Sequence, residues 1–194
     1  LQMIKVHEDF FDKKWLDEIS DRLLEAPWYA NNVANADTWP YRKKGSHRLL
    51  GDCFFHRQSD NFIRYNSTDT ELGSALINSF DQIQYKIKRK LKLIEVYTNL
   101  QFKGMDGTVH VDGSNNQSAF ILMLSNEHYA ENIGGGFYHQ PTDTTIDYKY
   151  GRLVEITASD PHKGLSFNKP DIARFSVKYL GENKWSLKKF ENVM

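Results

Sequence analysis

Between Asp9 and Glu25 the apolar residues Phe11, Trp15, Ile19 and Leu23 recur at every fourth position with charged residues between them. That spacing lines one side of a helix and predicts an amphipathic α-helix ended near Pro27. A second helix is expected from the capping box Thr68 to Glu71, because Thr followed three residues later by Glu satisfies two helix-start amides reciprocally. It continues through Leu72, Leu76, Phe80, Ile83 and Ile87. Each helix has one oily face and needs a sheet to cover. Past residue 91 the period changes to two. Ile94, Val96, Leu100 and Phe102 fall on one side of an extended chain, and Glu95, Tyr97, Asn99 and Gln101 on the other, so the first set is expected under the helices while the second needs water or a ligand.

Further strands are expected at QSAFILMLS, GGFYHQP, GRLVEIT and ARFSVKYL, separated by the turn signals NIGGG, PTDTT, SDPHKG and NKPD. Short strands at this spacing, without helices between them, predict an antiparallel sandwich or barrel, hence a mainly β protein with flanking helices. The chain is expected to form one domain over residues 1–194, with a helical part to about residue 91 and a β core over about 92–182. Ala30 to Arg48 is polar and turn-rich and carries Trp39 and Tyr41; it reads equally as a lid or as a plain surface loop.

Composition narrows the function classes. Twenty-five basic residues balance twenty-five acidic ones, so no global field gathers nucleic acid or an anionic membrane. The basic run at Lys86 to Lys92 falls at a helix C-terminus, where cations complement the backbone dipole. Cys53 is the single cysteine, which excludes an intramolecular disulfide framework or a Cys-rich metal site and favours a cytoplasmic setting. No apolar run is long enough to cross a bilayer as a helix.

Candidate chemistry begins at His110 and Asp112. Two residues apart on an extended chain, they point to the same side and can address one object. A facial arrangement of two histidines and one carboxylate leaves open positions on iron, and His162, in the turn after GRLVEIT, is the best second histidine. Farther on, Arg174, Ser176 and Lys178 share one face of ARFSVKY, while Phe175, Val177 and Tyr179 share the other and look like core. Arg174 is either a solvated edge residue paired with an acid or the anchor of an anionic cosubstrate, with Ser176 as a second donor; a bidentate arginine suits a dicarboxylate. The glycine run Gly134 to Gly136 precedes no helix and reads as a turn into a strand, not a phosphate cradle. His139 is expected to be structural or substrate-lining, and His128 to lie in a loop.

The ordered set HVD, GGGF, GRLVEITASDPHKG and RFS over Tyr97 to Tyr179 resembles the 2-oxoglutarate and iron(II)-dependent dioxygenases, in the prolyl-hydroxylase-like branch. That resemblance implies a double-stranded β-helix, or jelly-roll, with helices packed on one sheet. It implies iron(II) on His110, Asp112 and His162, the distal carboxylate of 2-oxoglutarate on Arg174, and Tyr97 against the cosubstrate, with Asn99 and Gln101 lining the same cavity. The implied reaction consumes dioxygen, releases succinate and carbon dioxide and hydroxylates a C–H bond, with ascorbate an optional stimulant. A prolyl or other side chain of a peptide or protein, or a small amino-acid-like metabolite, would be the substrate. The competing expectation is a cupin- or lectin-like jelly-roll binding module holding a structural metal or none, which has no use for Arg174.

Overall fold

The computed structural model describes residues 4–32, 49–59, 62–64, 70–128 and 132–183. Along them run β1 (Lys5–His7), α1 (Lys13–Glu25), β2 (Tyr29–Asn32), β3 (Leu49–Ser59), β4 (Phe62–Arg64), α2 (Thr70–Ile87), β5 (Leu91–Gln101) and β6 (Gln117–Ser125). Then follow β7 (Phe137–His139), a 3-10 turn, β8 (Thr144–Ile146), β9 (Leu153–Thr157), β10 (His162–Gly164) and β11 (Arg174–Asn183). Helix α1 starts later than the apolar period alone suggests. Asp9 takes a left-handed φ of 49°, and Asp12 caps the helix by accepting from the Trp15 amide at 3.2 Å. The helix stops at Glu25 because Pro27 drives Ala26 into an extended conformation, φ −67° and ψ 151°. Thr68 and Asp69, from the expected capping box, lie outside the described residues, as do residues 33–48 of the loop considered as a lid, with Trp39 and Tyr41.

The larger sheet has the order β1-β9-β6-β11-β5-β3-β2, with β4 on β3, and the smaller one the order β10-β7-β8. Their strand pairings are antiparallel. This is the expected mainly β, jelly-roll architecture with helices on one sheet. The continuous apolar run of β6 follows from burial on both faces. Phe120, Leu122 and Leu124 pack with Leu23, Leu72, Leu76 and Phe80 of the helices. Ala119, Ile121 and Met123 pack instead with Phe137 of the smaller sheet and with Val154 and Ile156. On β11 the expected alternation holds, with Phe175, Val177 and Tyr179 in the helix-covered core.

Three features depart from expectation. Strand β3, from the stretch before the second helix, pairs along β5 in the larger sheet, although no period in its sequence marks it as a strand. Ile94 leaves the Val96 side: the pairing slips between Leu180 and Gly181 opposite Glu95 and Leu93. A bulge of this kind reverses the phase, so Leu93 packs toward the helices and Ile94 against the core between the sheets. Phe102 falls beyond the end of β5 and is 38% exposed. Among the described residues no helix is long and apolar enough to cross a membrane.

Candidate metal centre and cavity

Strands β5 and β11 are neighbours, and their register places Tyr97 opposite Lys178, Asn99 opposite Ser176 and Gln101 opposite Arg174. Alternate residues of the two strands therefore form two parallel columns of polar side chains on one face of the sheet. All six line a cavity of about 270 Å³ whose opposite wall is built by Gly107, Thr108, His110, Asp112, Phe137 and His162.

His110 and His162 meet because their backbones exchange hydrogen bonds, His110 N to His162 O at 3.0 Å and His162 N to His110 O at 2.9 Å. His162 therefore opens the short strand β10, where a turn was expected. The amides of Asp112 and Gly113 both donate to Ala158 O, at 2.9 and 3.0 Å, which ties HVD to the segment carrying His162. Ligand-type atoms of His110, Asp112 and His162 all lie within 4.8 Å of one another. In each histidine Nδ1 is engaged by a backbone carbonyl, Thr108 O for His110 and Asp160 O for His162, both at 2.8 Å. A carbonyl only accepts, so each Nδ1 carries the proton, and in the neutral ring Nε2 presents a lone pair.

Those lone pairs face a carboxylate. His162 Nε2 lies 3.2 Å from Asp112 Oδ2, and His110 Nε2 3.6 Å from Asp112 Oδ1. Oδ2 is buried without a hydrogen-bond partner. Burial raises the Asp112 pKa, but the nearby Lys178 ammonium outweighs it and holds the carboxyl well below its ordinary range. Two acceptor atoms facing each other at this distance call for a cation between them. The donor set, two imidazoles and one carboxylate, suits a divalent transition metal such as iron(II). Phe137 stacks on the His162 ring with centroids 5.1 Å apart and fixes its orientation from the apolar side.

Arg174 is fully buried at the other end of the β11 column. Its Nε donates to Gly135 O at 2.8 Å and its Nη1 to Gln101 Oε1 at 2.6 Å, whereas Nη2 is buried without a partner. The fork expected to grip a carboxylate with two bonds is thus partly consumed by the protein, and one end remains for a ligand, with the Ser176 hydroxyl two residues along the same face. Burial lowers the guanidinium to about 10, opposed by Tyr148 and Asp106, so it stays charged at neutral pH. Gly164 belongs to this end: a Cβ there would stand 3.1 Å from Gln101 Oε1 and 3.4 Å from Arg174 Nη1. Asn99 and Tyr97 also line the cavity, and burial pushes the Tyr97 phenol above its ordinary pKa.

His139 takes the structural alternative. It is fully buried behind His162, with Nε2 3.1 Å from Asp160 Oδ2 and Nδ1 2.8 Å from Thr142 Oγ1. His128 packs away from the cavity, stacked on Tyr150 and 3.2 Å from Asp17. The pairing of two further participants carries no local signal in the sequence. Glu95 and Lys178 form an ion pair at 2.8 Å within the cavity wall; the two-residue period places each on the polar face, but their meeting depends on the pairing of β5 with β11.

No family model and no curated protein matches the sequence. Solved structures do match the fold. An oxidoreductase of the 2-oxoglutarate–iron(II) oxygenase family from Burkholderia pseudomallei superposes with a TM-score of 0.69 at 12% identity, over 92% of this chain and 84% of that one. A prolyl hydroxylase from Trichoplax adhaerens, in complex with a peptide fragment of the hypoxia inducible factor oxygen degradation domain, gives 0.64 at 10% identity over 93% and 83%. HygX from Streptomyces hygroscopicus, with nickel and 2-oxoglutarate bound, gives 0.58 at 10% identity over 93% and 83%. The chain has the fold of the 2-oxoglutarate and iron(II)-dependent oxygenases. Prolyl hydroxylases are among the structures that share it.

Proposed function

We propose that the chain is a non-haem iron(II) and 2-oxoglutarate-dependent oxygenase that hydroxylates a side chain of a peptide or protein, a prolyl group being the first choice, and releases succinate and carbon dioxide. The observation that carries this proposal is the convergence of His110 Nε2, His162 Nε2 and the unpartnered Asp112 Oδ2 at one wall of a cavity, with the unpartnered Arg174 Nη2 at its other end. Bound there, iron(II) would supply the activation of dioxygen. The chain's own residues do the rest. His110, Asp112 and His162 would hold the metal at one wall of the cavity. Arg174, with Ser176 beside it, neutralises and orients the far carboxylate of 2-oxoglutarate, and Tyr97 and Asn99 bound the space between.

A jelly-roll module that only binds a metal has no use for a fully buried guanidinium with an idle donor, since leaving such a donor unpaired costs stability. The peptide assignment is supported by the neighbour that holds a peptide fragment, and by Val111, which borders the cavity between His110 and Asp112 and is 51% exposed. It offers an apolar contact for an extended chain at the cavity mouth. The test is conversion of 2-oxoglutarate to succinate with iron(II), ascorbate and a peptide library set against free amino acids. Stimulation by peptides, lost in His162→Ala, is expected; succinate formation unchanged in that variant overturns the proposal, and stimulation by free amino acids alone moves the substrate to a small metabolite.

A further inference from the structure

Lys178 is left over once the cosubstrate has been given Arg174 and Ser176. Its side chain is 18% exposed, and Nζ lies 2.8 Å from Asp112 Oδ1 and 2.8 Å from Glu95 Oε2. The ammonium also stands 5.8 Å from the centroid of the Tyr97 ring. Glu95 is itself 17% exposed and has His56 Nδ1 3.2 Å from its other oxygen. A candidate metal ligand is thus shared with an internal cation. The sharing is divided by atom: Oδ1 of Asp112 accepts from Lys178, while Oδ2 has no hydrogen-bond partner and faces His162.

We propose that Lys178 is a positioning residue of the metal centre, one that restricts Asp112 to a single ligating oxygen and acts as counter-ion to the site before metal arrives. This rests on the metal-site assignment above. Without a cation, Asp112 and Glu95 would place two carboxylates in a shielded pocket, an arrangement whose desolvation cost is offset only by a partner of opposite charge. Lys178 leaves one net negative charge among the three side chains. It also pins the Asp112 rotamer, so the ligand geometry exists before a metal enters. The cost falls on affinity, because a divalent ion at Oδ2 must approach an ammonium that already holds Oδ1.

Two variants separate this role from that of a structural strut. Lys178→Met keeps the apolar stem and removes the charge. The double variant Lys178→Met/Glu95→Gln also leaves one net negative charge, now on Asp112 alone, so it has a route to folding if the single variant does not. Mn(II) binding is read from the free-ion electron paramagnetic resonance signal and melting is followed with and without Mn(II). In Lys178→Met the metal-free melting temperature should fall and its gap to the Mn(II)-loaded value should widen. In the double variant the Mn(II) Kd should tighten roughly tenfold, the scale of removing one charged hydrogen-bond competitor. Equal loss of stability with and without metal, or a double variant that binds Mn(II) no more tightly than the unsubstituted chain, overturns the proposal and leaves the metal site intact. Failure of the unsubstituted chain to bind Mn(II) overturns both.

Discussion

Tyr97 borders the cavity because Gly51, on the neighbouring strand β3, has no side chain. A Cβ on Gly51 would stand 2.6 Å from the Tyr97 hydroxyl and 2.7 Å from its Cε1, so Gly51→Ala must displace the ring. We expect this substitution to cost about 1–3 kcal/mol, the usual range for overpacking, and to raise the KM for 2-oxoglutarate. Tyr97→Ala added to Gly51→Ala should restore most of the stability in a urea melt, and additive losses would disprove the contact. Arg174 makes a second case. Arg174→Met keeps bulk and removes the donors, so the cosubstrate KM should rise roughly 10- to 100-fold, while Mn(II) affinity stays within about threefold because metal and guanidinium occupy opposite ends of the cavity. Parallel loss of both would mean that the cavity has collapsed. Cys53 is a third. Burial, with Glu95 and Asp52 nearby, pushes its thiol up to about 11, so alkylation at pH 8 should run roughly a hundredfold slower than for a free thiol; a rate equal to that of free cysteine would contradict this.

At the scale of the element, α2 shows what holds the helical layer to the sheet. Phe80 is 2% exposed and packs against Phe120 and Tyr179, with centroids 6.5 and 6.2 Å away. The Tyr179 hydroxyl meets Ser79 Oγ at 2.7 Å. Phe80→Ala should cost about 3–5 kcal/mol through the cavity it leaves, and Tyr179→Phe only about 1 kcal/mol, since Ser79 keeps its bond to Leu76 O. Chemical denaturation distinguishes them, and equal costs would refute the packing account. Helix α2, β6 and β11 were legible in the sequence because each carries an uninterrupted period or an apolar run matched to its burial. That His110, Asp112 and His162 would cluster was anticipated from the order of their motifs and the resemblance to a family. Strand β3 was not, because its buried positions do not alternate regularly: Gly51 and Asp52 are buried in succession, as are Phe54 and Phe55, in a strand whose pairing slips between Cys53 and Phe55. Ile94 was misassigned for the related reason that a bulge in β5 cannot be read from a two-residue period. The Glu95–Lys178–Asp112 bridge escaped because its members come from β5, β11 and the HVD segment and meet only through long-range pairing.

Taken as a whole, the molecule divides the site between two supports of unequal strength. Arg174, Ser176 and Lys178 belong to β11, paired along most of its length on both sides by β5 and β6 and covered by helices on one face. His162 starts a strand of three residues, and its link to His110 is one reciprocal pair of backbone bonds. Short pairings at a sheet margin open more readily than a central strand, so the ligand side should be the mobile side when no metal is bound. Metal bound at the proposed centre would hold His110, Asp112 and His162 together, and any opening that separates them would first have to release the ion. At a free metal concentration of a hundred times Kd, that requirement slows such openings by roughly a hundredfold. Hydrogen exchange with and without Mn(II) reads this directly. The amides of His110, Asp112 and His162 should slow by up to that factor, whereas those of Phe120, Leu122 and Val177 should be slow already and change little. Uniform protection across both groups would show that metal stabilises the global fold and that the histidine-bearing margin does not open on its own.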